Sequence, residues 1–272
     1  MIRVGISGWT YPPWRGTFYP KGLPHKQELA YAAERMNSIE INGTFYALQR
    51  PTSFALWREQ VPDDFVFSVK GGRFITHMKK LRDPEQSLAN FFASGVLGLG
   101  PKLGPLLWQL PPDLGYDPER LADFFTALPR THAQAAALGA RHDDRLAEDR
   151  VFLTPELGDR PLQHALEVRH DSYKNPEFLG LLRDHDIAMV VADTAGKWPQ
   201  IEELTTEFCY IRLHGADQLY VSGYTEKGLD EWADKIRNWS AEVRDVYVYF
   251  DNDTKVRSPY DAMSLARRFQ EL

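Results

Sequence analysis

Six side chains able to do acid–base or electrostatic chemistry stand where short apolar runs turn polar: Glu40, Lys70, Glu167, Arg169, Arg212 and His214. Each sits in a strict alternation. Ile39 and Ile41 flank Glu40, Phe67 and Val69 precede Lys70, Leu166 and Val168 flank Glu167, and Ile211 and Leu213 flank Arg212. In a β-strand that alternation puts the charges on one face and the aliphatics on the other. Guanidinium groups match carboxylate and phosphate geometry, so Arg169 and Arg212 read as an anion clamp. Glu40 or Glu167 is the expected general base, and His214 or His170 the acid or proton shuttle. Lys70 is expected to remain an ammonium, held by a carboxylate on the neighbouring strand, and to polarise a carbonyl; Schiff-base chemistry ranks below that role.

Asp193, closing another apolar run, joins the catalytic candidates. Trp9, Tyr11, Asn42, His77, Gln109, His170, Tyr224 and Asn252 are the expected substrate contacts beside the two arginines. A divalent-metal version draws on Glu40, His77, Glu167, Asp193 and His214, whose carboxylates and imidazoles suit Mg, Mn or Zn. Each charge taken singly reads equally well as a partner in a structural ion pair. As a set they are harder to dismiss, because buried ion pairs add little stability over apolar replacements.

The elements that must position these residues follow a repeating rhythm. Strand-like runs fall at residues 2–7, 38–42, 65–70, 105–110, 165–169, 187–192, 208–213 and 246–250. Helical patterns lie between them, at 25–36, 52–60, after Asp83-Pro84-Glu85, after Asp117-Pro118-Glu119, after Asn175-Pro176-Glu177, and at 230–243 and 259–270. The three Asx-Pro-Glu runs are N-cap signals with proline at the first helical position. Eight strands alternating with helices predict a parallel (β/α)8 barrel of the TIM type, a single domain over 1–272, with an open doubly wound sheet as runner-up. In such a barrel the strands' C-terminal ends share one mouth, which gathers the six charges. Residues 131–160 break the rhythm and read as an insertion between the fourth helix and the fifth strand.

The chain has 272 residues, 43% of them hydrophobic and 26% charged, with a net charge of -6. That is an ordinary globular composition with no global pull toward nucleic acid or membrane. One cysteine excludes an intrachain disulfide or a multi-cysteine metal site. No apolar run reaches the ~18 residues of a membrane span. Met1 runs straight into a strand-like segment rather than a leader, so the expected location is the cytoplasm. The aromatics Trp9, Tyr11, Trp14, Phe18 and Tyr19 of the first loop read as a stacking wall or as a small core over the barrel end; Phe18 and Tyr19 favour the core.

Several familiar signatures are absent. The run 5–9 (GISGW) lacks the third glycine of a dinucleotide fingerprint, so no nucleotide cofactor is implied. It also has Trp9 where a serine nucleophile elbow needs glycine. Asp251 and Asp253 do not open a calcium loop, because Val256 and Ala262 stand where glycine and glutamate belong. Gln109 and His214 occupy the strand ends where a barrel glycosidase would carry carboxylates.

The runs 5–11 (GISGWTY), 40–46 (EINGTFY), 67–70 (FSVK), 75–77 (ITH), 103–112 (LGPLLWQLPP), 167–170 (EVRH), 210–215 (YIRLHG) and 249–253 (YFDND) resemble, as a set, the YecE-like family, domain of unknown function number 72. The resemblance implies a TIM-barrel-like fold with these motifs at one end and no established reaction. Asp251 stands where that family often has asparagine, and shorter members lack the 131–160 segment. The functional expectation is an enzyme acting on a small polar anion, phosphorylated or carboxylated, by acid–base chemistry. Metal-dependent processing or binding of nucleic acid and a non-catalytic ligand-binding module are the alternatives.

Overall fold

The computed structural model describes residues 1–154 and 157–270. Its eight strands are β1 Ile2–Ser7, β2 Ser38–Ile41, β3 Val66–Lys70, β4 Leu103–Gln109, β5 His164–Glu167, β6 Ile187–Asp193, β7 Phe208–Leu213 and β8 Asp245–Phe250. All neighbours pair in parallel, and β8 returns to β1 to close the barrel. The open sheet is thereby excluded. Gly5 is required at the β1–β2 seam, since a Cβ there would lie 1.8 Å from the Ser38 carbonyl oxygen. Pro105 brings no N–H to β4, and the β3–β4 register shifts across that point.

The helices are α1 Glu28–Ala33, α2 Gly43–Tyr46, α3 Pro51–Glu59, α4 Glu85–Ala93, α5 Pro118–Ala127, α6 His132–Gly139, α7 Pro176–Asp184, α8 Glu226–Ser240 and α9 Ser258–Arg267. Asp117 and Asn175 cap α5 and α7 as their Asx-Pro-Glu runs predict, accepting from the Arg120 and Phe178 amides. The third such run behaves differently. Asp83 lies in the left-handed region (φ 41°), Pro84 takes the cap position, and no side chain caps α4. Lys80 and Leu81, just before Asp83, also lie in the left-handed region.

The 131–160 segment is tied at its own base: Thr131 bridges Pro161, and the Leu162 amide donates to the Arg130 carbonyl. It carries α6, capped by the Thr131 hydroxyl and packed on α4. Residues 155 and 156 of the segment lie outside the described residues.

Two apolar cores follow from strand alternation. Outward residues such as Ile39, Phe67, Leu166 and Ile211 pack against the helices. A separate cluster including Val66, Leu107, Val190, Tyr210 and Tyr249 fills the barrel interior. The interior hydroxyls are paired: Ser38 Oγ lies 2.7 Å from the Tyr249 hydroxyl, and Ser68 Oγ 2.6 Å from that of Tyr210. Trp14, Phe18 and Tyr19 are buried together beside Tyr31, the core reading of the first loop. Among the described residues no helix is long and apolar enough to cross a membrane.

Candidate functional site

Directly above the interior tyrosines the inward charges meet. Arg212, on β7, is fully buried at the barrel axis. Its Nε donates to Glu40 Oε2 (3.0 Å) and its Nη2 to Glu40 Oε1 (2.8 Å), a bidentate fork. Nη1 donates to Glu167 Oε2 at 2.7 Å, and Nη2 also reaches Asp251 Oδ2 at 2.9 Å. Ser7 Oγ and the Tyr210 hydroxyl donate to the two oxygens of Glu40 at 2.7 and 2.6 Å. His214 lies with Nδ1 3.2 Å from Asp251 Oδ2 and Nε2 3.4 Å from Arg212 Nη1. A proton on Nδ1 leaves Nε2 free to accept from Arg212 and faces Asp251.

This hub revises several expectations. Arg212 keeps no N–H for a ligand, so it is the centre of a buried ion cluster and not an anion clamp. Glu40 and Glu167 are fully buried, and every carboxylate oxygen of the two already accepts at least one hydrogen bond from within the cluster, so neither stands free of partners for the general-base role expected of it. Burial opposes the charge on Glu167, but Arg169 and Arg212 outweigh it and hold its pKa well below the usual range. The five residues of the metal version do not converge, and among the described residues no three His, Cys, Asp or Glu side chains form a metal-binding group. The guanidinium of Arg212 occupies the place between the carboxylates that a cation would take.

Strand parity also moves two candidates away. Asp193 follows Met189 and Val191, and Asn252 follows Val248 and Phe250, all outward-facing. Asp193 Oδ2 accepts from the Tyr224 hydroxyl at 2.8 Å, and Asn252 Nδ2 donates to Asp261 Oδ2 at 2.8 Å. Asp261 also accepts from the Tyr224 amide, so Asp193, Tyr224 and Asn252 together brace the β7–α8 loop from behind. His170 is exposed and accepts from the Ser172 amide, capping a short turn before α7.

Over the hub lies a cleft of ≈650 Å³ at the carboxyl ends of the strands. Of the expected residues, Tyr11, Asn42, Lys70, His77, Gln109 and Arg169 line it. Trp9 lies in a neighbouring ≈340 Å³ pocket, edge-on to Trp57, which shares Tyr11, Asn42 and Tyr46 with the cleft. Asp251, Asp253, Arg73, Phe45 and Tyr220 also line the cleft, and sequence reasoning missed their roles. Asp251 carried a signal, the inward parity it shares with Tyr247 and Tyr249; the others come from loops. A larger cavity of ≈760 Å³ runs between Asp83 and α5, but it is a surface groove that holds none of these groups.

Arg169 is 9% exposed at its side chain. Its Nε donates to Glu167 Oε1 at 2.7 Å and its guanidinium lies 3.9 Å over the Trp198 ring, yet Nη2 has no hydrogen-bond partner. Lys70 Nζ lies 4.4 Å over the Phe45 ring and makes no hydrogen bond or ion pair among the described residues, while the Lys70 carbonyl accepts from the Thr44 hydroxyl. The nearby carboxylates already serve Arg212 and Arg169. Burial, then repulsion from Arg212, push Lys70 down to about 8 against the opposing pull of Asp251, Glu40 and Glu167.

Two aspartates of the same loop are driven apart. Burial opposes the charge of Asp251, but Arg212 and the His214 hydrogen bond hold it down at about 2. Asp253 is pushed up to about 6 by burial and by the charge of Asp251. His77, on the turn Phe74–Met78, is pushed down to about 4 by burial and by Lys70 and Arg169, and is neutral at pH 7. Titratable groups whose environments separate their pKa values are the usual basis of acid–base division of labour.

Fold and site define a TIM-barrel-like chain with a polar cleft at the carboxyl end of its strands. The chain belongs to the family described as "Protein of unknown function DUF72", which matches residues 3–272. Among curated relatives, the UPF0759 protein YunF of Bacillus subtilis is 22% identical over 93% of this chain and 89% of its own length. The UPF0759 protein YecE of Escherichia coli is 34% identical over 115 residues, 42% of this chain, and this chain spans only 39% of that relative's length. A DUF72 family protein from Thermotoga maritima superposes with a TM-score of 0.78 at 24% identity, covering 99% of both chains. One from Enterococcus faecalis gives 0.76 at 16% identity, covering 99% of this chain and 96% of that one. These likenesses establish the fold.

Proposed function

We propose that the chain is an enzyme that binds a small polar anion, phosphorylated or carboxylated, in the cleft and moves protons on it. The observation that carries this reading is Arg169. It is a nearly buried arginine that lines the cleft, fixed by Glu167 and Trp198, and its buried Nη2 has no partner among the described residues. A buried N–H without an acceptor costs free energy unless a ligand supplies one. Lys70 adds a second cationic group on the same wall. Asp253, pushed up to about 6, is the group able to exchange protons near neutrality, and His77, pushed down to about 4, stays uncharged in the same cleft. Asn42, Gln109 and Tyr11 supply neutral polar contacts for orientation.

Thermal unfolding in the presence of small phosphates, sugar phosphates and carboxylates tests the reading. A fitting compound at ~100 times its dissociation constant adds about 2.7 kcal/mol, roughly 5 °C for a chain of this size. Arg169→Gln should weaken that compound about 10- to 100-fold, the value of a charged hydrogen bond. Equal affinity in Arg169→Gln would refute the assignment.

A further inference from the structure

We propose that Lys70 is a nucleophilic amine that captures a small aldehyde or ketone, itself bearing a carboxylate or phosphate, as an imine. The inference deepens the anion-binding reading of the cleft and rests on it. Its basis is how the hub distributes partners. Glu40 accepts from Ser7, Tyr210 and both ends of the Arg212 fork; Glu167 accepts from Arg212 and Arg169; Asp251 accepts from Arg212. Lys70 ends β3 on the inward face above this arrangement, 8% exposed, and is left with the Phe45 ring alone. A buried ammonium has three N–H groups to satisfy, whereas the neutral amine has two and carries no charge to desolvate. The amine also lines an open cleft, so its lone pair has access to a ligand.

With its pKa at about 8, roughly a tenth of Lys70 is neutral at pH 7, about 200 times the fraction for a lysine at the ordinary value. The step balances without an oxidant or reductant. The Lys70 nitrogen attacks the carbonyl carbon, forming the C–N bond while the π pair moves to oxygen, which takes a proton from protonated Asp253. The nitrogen returns a proton to the Asp253 carboxylate, Asp253 passes it to the hydroxyl, and the nitrogen lone pair expels water as the C–O bond breaks; the protonated imine so formed gives its remaining N–H proton back to Asp253. Arg169 holds the anionic group during these steps. His77, uncharged on the same wall, can accept a proton from the carbon next to the imine, which the imine acidifies.

Trapping on the unaltered full chain tests this. The protein is treated with glyoxylate and cyanoborohydride at pH 7, with and without excess oxalate, then digested and mapped by mass spectrometry. Oxalate shares the carboxylate chemistry and has no aldehyde; its effect on the melting temperature is read in parallel. The expected result is a reduced adduct concentrated on Lys70, at least about tenfold above that on exposed lysines such as Lys227, and suppressed by oxalate. Adducts on exposed lysines with Lys70 unmodified would overturn the imine, and a melting shift with oxalate would then leave the anion reading standing. A Lys70 adduct that oxalate does not suppress, without any melting shift, would keep the imine and overturn the anion reading.

Discussion

Replacing Arg212 with methionine removes the one cation that three carboxylates share. Glu40 and Glu167 are fully buried and Asp251 is 14% exposed, so none gains full hydration in exchange. Breaking a buried pair by deleting one partner costs about 3–5 kcal/mol. At roughly 2 °C per kcal/mol for a chain of this length, Arg212→Met should melt about 6–10 °C below wild type. Arg212→Lys keeps the charge but cannot span Glu40, Glu167 and Asp251 at once, so it should recover only part of the loss. Calorimetry at pH 7 on the three proteins reads this directly. A melting temperature for Arg212→Met within about 2 °C of wild type, combined with lost ligand binding, would refute the hub and restore Arg212 as an anion clamp.

Acid should act through the same hub. Asp251 and Glu167 have pKa values depressed by folding. The stability they contribute is present above their unfolded values near pH 4 and is lost as pH falls through the folded ones, about 2–3 kcal/mol for Asp251 alone. Acid titration of stability should show that loss between about pH 4 and 2 in wild type and a weaker one in Arg212→Met. Asp253→Asn should remove the limb near pH 6 from the pH–rate profile once a turnover substrate is known; an unchanged limb would assign it to another group. Gly5→Ala should fail to give a native melting transition, because its Cβ would meet the Ser38 carbonyl at 1.8 Å; a wild-type transition would contradict the close β1–β2 seam.

The barrel was legible because parallel strands covered on both faces leave a period-two record wherever one face is polar. Ile2–Ser7 and Phe208–Leu213 coincide with the sequence expectation, and the other strands differ from it by one or two residues at their ends. The same rule, applied strictly, places Glu40, Lys70, Glu167 and Arg212 inward and Asp193 and Asn252 outward. The two misplaced candidates came from reading position along the strand without its parity. What alternation cannot record is closure. Only when β8 meets β1 does Glu40 on β2 come within reach of Arg212 on β7, and only then is one arginine surrounded while the other retains an unpartnered nitrogen. The charge of Lys70 depended on the same allocation: carboxylates are near it, but their oxygens are already engaged. Arg73, Phe45, Tyr220 and Asp253 reach the cleft from loops, whose course over the barrel mouth has no periodic signal.

The most direct test of the central claim is a crystal structure of the protein with a bound anion, grown with oxalate or inorganic phosphate. The account predicts the anion in the cleft within hydrogen-bonding distance of Arg169 Nη2 and near Lys70 Nζ, with Arg212 still enclosed by Glu40, Glu167 and Asp251. An anion bound to Arg212 in place of one of those carboxylates, or an empty cleft with the anion elsewhere, would contradict it.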